Sequence, residues 1–67
     1  MRVESTAIRA IFYDAAGRRL RVTFVSGERY AYDGVPGEVH RAFVAADSKG
    51  RFFQAEIRER YAYTKLG

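Results

Sequence analysis

One run in the first half of the chain, RRLRVTFV at residues 18–25, alternates between apolar and polar side chains from its second residue onward. A period of two places successive side chains on opposite faces of an extended strand. The apolar positions are Leu20, Val22 and Phe24, and the polar positions between them are Arg19, Arg21 and Thr23. This alternation predicts an antiparallel sheet that buries one face and leaves an arginine-rich face open.

A first strand is predicted at residues 7–13, AIRAIFY, because the run is rich in β-branched and aromatic residues. It ends at the turn signal Asp14 to Gly17. A four-residue loop there sets Ile11 opposite Leu20 and Phe12 opposite Arg19. Ile8 joins the apolar face only if a β-bulge lies near Arg9.

A third strand is predicted at residues 28–32, ERYAY. A two-residue loop, Ser26-Gly27, would turn Tyr30 and Tyr32 toward the arginine face, whereas a three-residue loop that starts at Val25 turns them toward the apolar face. We favour the three-residue loop with Gly27 in the left-handed region, because it gathers the aromatic side chains with the aliphatic ones. It pairs Tyr30 with Val22 and Tyr32 with Leu20.

Two helices are predicted to follow the strands. Pro36 can open the first, which should run to about Asp47, and Ser48 can cap a second from Lys49 to about Glu59. In the first helix the stripe that should dock on the sheet is Val39, Ala42, Phe43 and Ala46, with His40 and Arg41 facing outward. Tyr61-Ala62-Tyr63 is expected to be extended, either adding a short strand or closing the core.

The predicted fold class is α+β. A three-stranded antiparallel meander is covered on one face by two C-terminal helices, with a short C-terminal strand as an optional addition. Residues 1–67 are expected to form one domain, since no repeat or linker interrupts them.

Taken together, these motifs make the sequence resemble the KTSC domain, a family named for the C-terminus of some lysyl-tRNA synthetases and also found as small bacterial proteins. The resemblance covers nearly the whole chain, and Phe12 departs from it, since a small residue is expected there. The matching elements are Tyr13-Asp14, Leu20-x-Val22-x-Phe24-x-x-Gly27, Tyr30-x-Tyr32 with Gly34-Val35-Pro36, Ala46-x-Ser48-Lys49-Gly50, Ile57-Arg58 and Tyr61. The family's association with a synthetase suggests RNA as a ligand.

The chain carries a formal net charge of +4, with twelve basic residues against eight acids. Ten of the basic residues are arginines, whose planar guanidinium suits phosphate oxygens. The chain has no cysteine and no apolar run long enough to span a membrane or form a signal peptide. We therefore expect a cytoplasmic domain that does not enter a membrane.

Catalytic groups are scarce. His40 is the single histidine, and no second metal ligand or catalytic partner is spaced to work with it. The serines have ordinary roles in turns and caps: Ser5, Ser26 and Ser48. We expect no enzyme activity, no metal and no cofactor.

Two binding sites are hypothesised for RNA or another nucleic acid. The first is the open face of the sheet, where an aromatic ring stands among arginines and could stack on bases: Phe12, Arg19, Arg21, Thr23 and Arg29. The second is the start of the second helix, where an anion could meet unpaired backbone N–H groups: Ser48, Lys49, Gly50 and Arg51. The alternative is a protein-docking module that uses an edge strand and binds no nucleic acid.

Overall fold

A computed structural model describes residues 5–67 of the protein. Its elements are β1 (Ile8–Asp14), β2 (Arg19–Phe24), β3 (Arg29–Tyr32), α1 (Gly37–Ala45), α2 (Lys49–Glu56) and β4 (Tyr63–Lys65). The strands form one antiparallel sheet in the order β1-β2-β3-β4. The predicted α+β meander with two helices is confirmed, and the short C-terminal strand is present.

The hairpin between β2 and β3 has the predicted three-residue loop. The Phe24 N–H donates to the Glu28 carbonyl at 2.9 Å, which closes the loop over Val25 to Gly27. Gly27 has φ 97°, a left-handed conformation that costs glycine little because it has no Cβ. The resulting pairs are Val22 with Tyr30 and Leu20 with Tyr32. Both tyrosines therefore lie on the apolar face, and Tyr32 is buried.

The hairpin between β1 and β2 differs from its prediction by two residues. Asp14 stays in the strand, and its Oδ1 accepts hydrogen bonds from the N–H groups of Ala16 and Gly17, which fixes the turn one residue later. Arg18 rather than Gly17 takes the left-handed conformation, with φ 53°. The observed pairs are Ile11 with Val22, Phe12 with Arg21, Tyr13 with Leu20 and Asp14 with Arg19. A shift of two residues keeps every side chain on its predicted face.

β1 contains the bulge near Arg9 that is required for Ile8 to join the apolar face. The register shifts between Ile8 and Ala10, so that Ile8 pairs with Phe24 while Ala10 pairs with Thr23. Because the extra residue restores the alternation, Ile8 turns inward and is fully buried.

The core lies between the sheet and the helices. Its buried members are Ile8, Ile11, Leu20, Val22, Tyr32, Val35, Phe43, Phe53 and Ile57. Both helices end earlier than predicted. The backbone of Ala46 is extended, which ends α1 two residues before the Ser48 cap, and Ile57 leaves helical geometry and ends α2.

The buried stripe of α1 also differs from its prediction. Phe43 is buried and Val39 and Ala46 are half-buried, as expected, but Ala42 is exposed and His40 is half-buried. The reason is a contact with β1, where the His40 ring stacks on the Tyr13 ring at 4.6 Å between centroids. With His40 in contact with β1, the packed face of α1 includes His40 and leaves Ala42 in solvent.

β4 pairs with the free edge of β3. Tyr63 lies opposite Tyr32 and Lys65 lies opposite Tyr30, and the Lys65 Nζ is 3.3 Å from the Glu28 Oε2. Within residues 5–67, neither helix is long and apolar enough to cross a membrane.

Candidate nucleic-acid interface

The open face of the sheet brings together four of the five residues predicted there. Phe12, Arg21, Thr23 and Arg29 line a shallow groove of about 310 Å³. Phe12 and Arg21 are a cross-strand pair, and so are Thr23 and Arg29. The groove is thus built from side chains that alternate away from the core, as the period of two requires.

Two residues of the groove escaped the sequence analysis, Ala10 and Leu66. Ala10 follows the bulge in β1 and shares the face of Phe12. Leu66 follows β4, and its N–H donates to the Arg29 carbonyl at 2.7 Å. The sequence did not indicate that Leu66 belongs to this face, because the three residues of β4 before it show no alternation of apolar and polar side chains.

The centre of the groove is a stacked pair. The guanidinium carbon of Arg21 lies 4.3 Å from the centroid of the Phe12 ring, which is a cation–π distance. Phe12 remains 51% exposed. Guanidinium planes and aromatic rings can both stack on a further flat group. The pair therefore brings a guanidinium and an exposed aromatic ring together on the open face.

The arginines of the open face differ in their partners. The Arg19 Nε donates to the Asp33 Oδ1 at 2.9 Å, and Arg19 does not line the groove. Within residues 5–67, Arg21 and Arg29 have no carboxylate oxygen at salt-bridge distance. Arg21 and Arg29 therefore form no ion pair with a carboxylate side chain in this part of the chain, and the Arg29 guanidinium lies beside Gly67.

At the start of α2, Ser48 acts as the predicted N-cap, and its Oγ accepts from the Arg51 N–H at 3.2 Å. The Lys49 Nζ donates to the Ala46 carbonyl instead of pointing outward. Ser48, Lys49 and Gly50 line a hollow of about 180 Å³ with Asp47, and Arg51 lies outside it. The hollow therefore holds one carboxylate and one ammonium that already donates to the backbone, and the anion site stays a prediction.

His40 does not face solvent as predicted. Its stacking against Tyr13 partly buries it, and burial, followed by the nearby Arg41 charge, lowers the pKa of its imidazole. No three histidine, aspartate or glutamate side chains in the described part of the chain come close enough to hold a metal ion.

Comparison with known proteins places this fold in a family. The sequence model of the KTSC domain matches residues 4–61. The chain belongs to the KTSC domain family. Its structure is similar to the crystal structure of a KTSC domain protein from Yersinia pestis, with a TM-score of 0.97 and 39% sequence identity over 100% of this chain and 94% of that one.

Two further relatives have nearly the same length as this KTSC domain. An uncharacterized protein of Stutzerimonas stutzeri is 37% identical over 65 residues, which cover 96% of this chain and 92% of that protein. A protein of Tsukamurella paurometabola is 42% identical over 64 residues, which cover 96% of each chain. The family resemblance stated from the sequence is thus confirmed, and these relatives share the whole domain.

Proposed function

We propose that this KTSC domain is a non-catalytic binding domain that recognises single-stranded nucleic acid, RNA in particular, through the open face of its sheet. The observation that carries the proposal is the Arg21 guanidinium stacked at 4.3 Å on the exposed Phe12 ring. Arg29 lies in the same groove without a carboxylate partner among residues 5–67. A cytoplasmic location fits this role.

Each part of the groove matches one part of a nucleotide. Bases in single strands stack on arginine planes and aromatic rings, so the Arg21 guanidinium and the Phe12 ring can hold one base. Arg29 can neutralise a neighbouring phosphate. The methyl group of Ala10 and the side chain of Leu66 give the base an apolar floor, and the Thr23 hydroxyl can hydrogen-bond to a base edge or a sugar.

The salt dependence of binding follows from the number of available cations. For single strands the slope of log K against log salt is about −0.7 per phosphate contacted. Because Arg21 is assigned to a base and Arg29 to a phosphate, the predicted slope is about −0.7. Arg19 should contribute little, because Asp33 already neutralises it.

The test is a fluorescence-anisotropy titration of a short labelled RNA of mixed sequence at several salt concentrations. Arg21→Gln should weaken binding at least about five-fold, since base stacking contributes about 1–3 kcal/mol per base. Arg29→Gln should flatten the salt slope by about 0.7, since the phosphate contact is lost. Arg19→Gln is the matched control on the same strand and should change binding less than two-fold. No binding of the unmodified protein at low salt refutes the proposal.

A protein-docking role is the second candidate, favoured by two exposed apolar side chains in the groove, Phe12 and Leu66. An apolar docking surface responds weakly to salt, whereas phosphate contacts respond steeply. A partner whose affinity is insensitive to salt and to Arg21→Gln would favour docking over RNA binding.

A further inference from the structure

A second cavity lies on the other side of the sheet from the proposed RNA site. It is a cleft of about 500 Å³ between α2 and the strands β3 and β4, which is within the size range of small-molecule sites. Its aromatic lining consists of Phe24, Tyr30, Tyr32, Phe53 and Tyr63. We call it the tyrosine cleft.

The walls of the tyrosine cleft are rings packed edge to face. Tyr30 meets Phe24 at 5.7 Å with planes 78° apart and meets Tyr63 at 5.6 Å with planes 67° apart. Phe53 meets Tyr32 in the same way at 5.5 Å and 76°. Rings at these angles fix one another and offer both faces and edges to a further aromatic ring. Tyr63 is 59% exposed and forms the outer wall.

One polar group in the cleft lacks a protein partner. Tyr32 is only 4% exposed, yet no group within residues 5–67 forms a hydrogen bond with its hydroxyl. The hydroxyl is not sealed in the core either, because no buried side-chain oxygen in the described structure lacks a partner. It therefore reaches the cleft. Burial, then the neighbouring Tyr30 and Tyr63, raise the pKa of Tyr32 to about 12, so the hydroxyl keeps its proton and remains a donor.

The charged side chains of the cleft differ in how many hydrogen-bond and ion-pair partners they have. Glu28 is held by Lys65 at 3.3 Å through one oxygen and by the Ser26 hydroxyl at 3.3 Å through the other. Among residues 5–67, the Arg58 guanidinium donates only to the Gln54 Oε1, at 2.9 Å, which leaves most of its N–H groups available. Glu59 is the carboxylate of the cleft without a salt bridge among residues 5–67.

Two donors in the tyrosine cleft have few or no partners among residues 5–67, the Arg58 guanidinium and the Tyr32 hydroxyl. The tyrosine hydroxyls can also accept, and Glu59 supplies a carboxylate acceptor. A ligand that complements this set carries acceptors, one of them negatively charged, beside a flat apolar ring. A cationic ligand would instead be repelled by Arg58, and the charge of Glu28 is already balanced by Lys65.

We propose that the tyrosine cleft binds an aromatic carboxylate, with its ring packed among Phe24, Tyr30 and Tyr63 and its carboxylate accepting hydrogen bonds from Arg58 and the Tyr32 hydroxyl. This site is separate from the RNA site in position and ligand. The carboxylate can belong to a free aromatic acid or to the C-terminal phenylalanine of a peptide, which present the same chemistry.

The test is a chemical-shift titration of the labelled protein with phenylacetate, and with 2-phenylethanol as the neutral control of similar shape. Phenylacetate should shift the signals of Arg58 and of the cleft tyrosines, and the alcohol should bind at least about five-fold more weakly. A peptide that ends in phenylalanine is then titrated, with its C-terminus either free or amidated. This titration distinguishes a free aromatic acid from a peptide C-terminus as the source of the carboxylate. Binding of the free-carboxyl peptide at least ten-fold tighter than phenylacetate assigns the site to a chain terminus, and otherwise the free acid is the ligand.

Two exposed neighbours on the chain give variants with opposite expectations. Arg58→Gln should weaken phenylacetate binding about ten-fold, because a charged hydrogen-bond donor is lost. Glu59→Gln should strengthen it about two-fold, because a repelling charge is removed. Circular dichroism should show both variants folded, since both side chains are exposed. An absence of shifts in the cleft, equal binding of the alcohol, or reversed effects of the two variants overturns the proposal.

Discussion

Tyr13 links β1 to the start of α1 through a hydrogen bond and a ring contact, and Tyr13→Phe tests the hydrogen bond. The Tyr13 hydroxyl donates to the Val35 carbonyl at 2.6 Å, while its ring stacks on His40. Val35 is fully buried and immediately precedes Pro36, the N-cap residue of α1. The substitution keeps the stacked ring and removes only the donor, so it isolates the hydrogen bond.

The expected loss of stability is about 1–2 kcal/mol, which combines the net value of one hydrogen bond with the cost of leaving a buried carbonyl without that donor. For a domain of this size, 1 kcal/mol lowers Tm by about 4–8 °C. Urea denaturation followed by circular dichroism measures the change in the free energy of unfolding.

The matched control is Tyr63→Phe, which removes a hydroxyl that has no hydrogen-bond partner among residues 5–67 and lies on a mostly exposed ring. It should change stability by less than about 0.5 kcal/mol. If Tyr13→Phe is no more destabilising than this control, the hydrogen bond to Val35 does not hold the helix start, and the reasoning is refuted.

Three further predictions concern backbone conformation and pH. Gly27→Ala should cost about 1 kcal/mol because of its positive φ, whereas Gly50→Ala should be neutral or stabilising, since its Cβ would meet Ala7 at an ordinary 3.5 Å; thermal melts compare the two. The lowered pKa of His40 means that stability falls as pH drops below about 6.5, and His40→Gln should flatten this part of the pH profile. The raised pKa of Tyr32 means that stability falls as pH rises from 10 toward 12, and Tyr32→Phe should lessen that loss in urea titrations.

The sequence was most informative where only one strand register would bury the apolar side chains. The alternation in residues 18–25 predicted β2, and Gly27 allowed the three-residue loop that turns Tyr30 inward. The sequence also indicated that Ile8 could be buried only with a bulge near Arg9, and the bulge is present. In these places a one-residue slip would expose apolar side chains to water, so the hydrophobic effect alone selects the register.

Features that depend on a specific polar or aromatic contact were not predictable in this way. The turn after β1 is set by the Asp14 carboxylate, which captures two backbone N–H groups, and a shift of two residues leaves the hydrophobic pattern unchanged. The orientation of α1 about its axis involves the contact between the His40 ring and the Tyr13 ring of β1, which are far apart in the sequence. The apolar pattern of the helix is equally compatible with burying Ala42 and with burying His40, so the sequence alone does not decide between these two rotations of α1.

Only part of the candidate site could be predicted, because strand alternation assigns a side chain to a face but does not give its partners. Alternation assigned Phe12 and Arg21 to one face, whereas their stacking and the separate ion pair of Arg19 with Asp33 depend on pairings between strands. The tyrosine cleft was not foreseen, because it exists only once β4 brings Tyr63 beside Tyr30.

One NMR titration tests most directly whether the open face binds single-stranded RNA. A short RNA of mixed sequence is added to the ¹⁵N-labelled protein at low salt, with polyglutamate as the unrelated polyanion. We expect shifts concentrated on Phe12, Arg21, Thr23 and Arg29 with RNA, and much smaller shifts with polyglutamate, which cannot stack. Shifts confined to the helices, or equal responses to both polymers, would contradict this proposal.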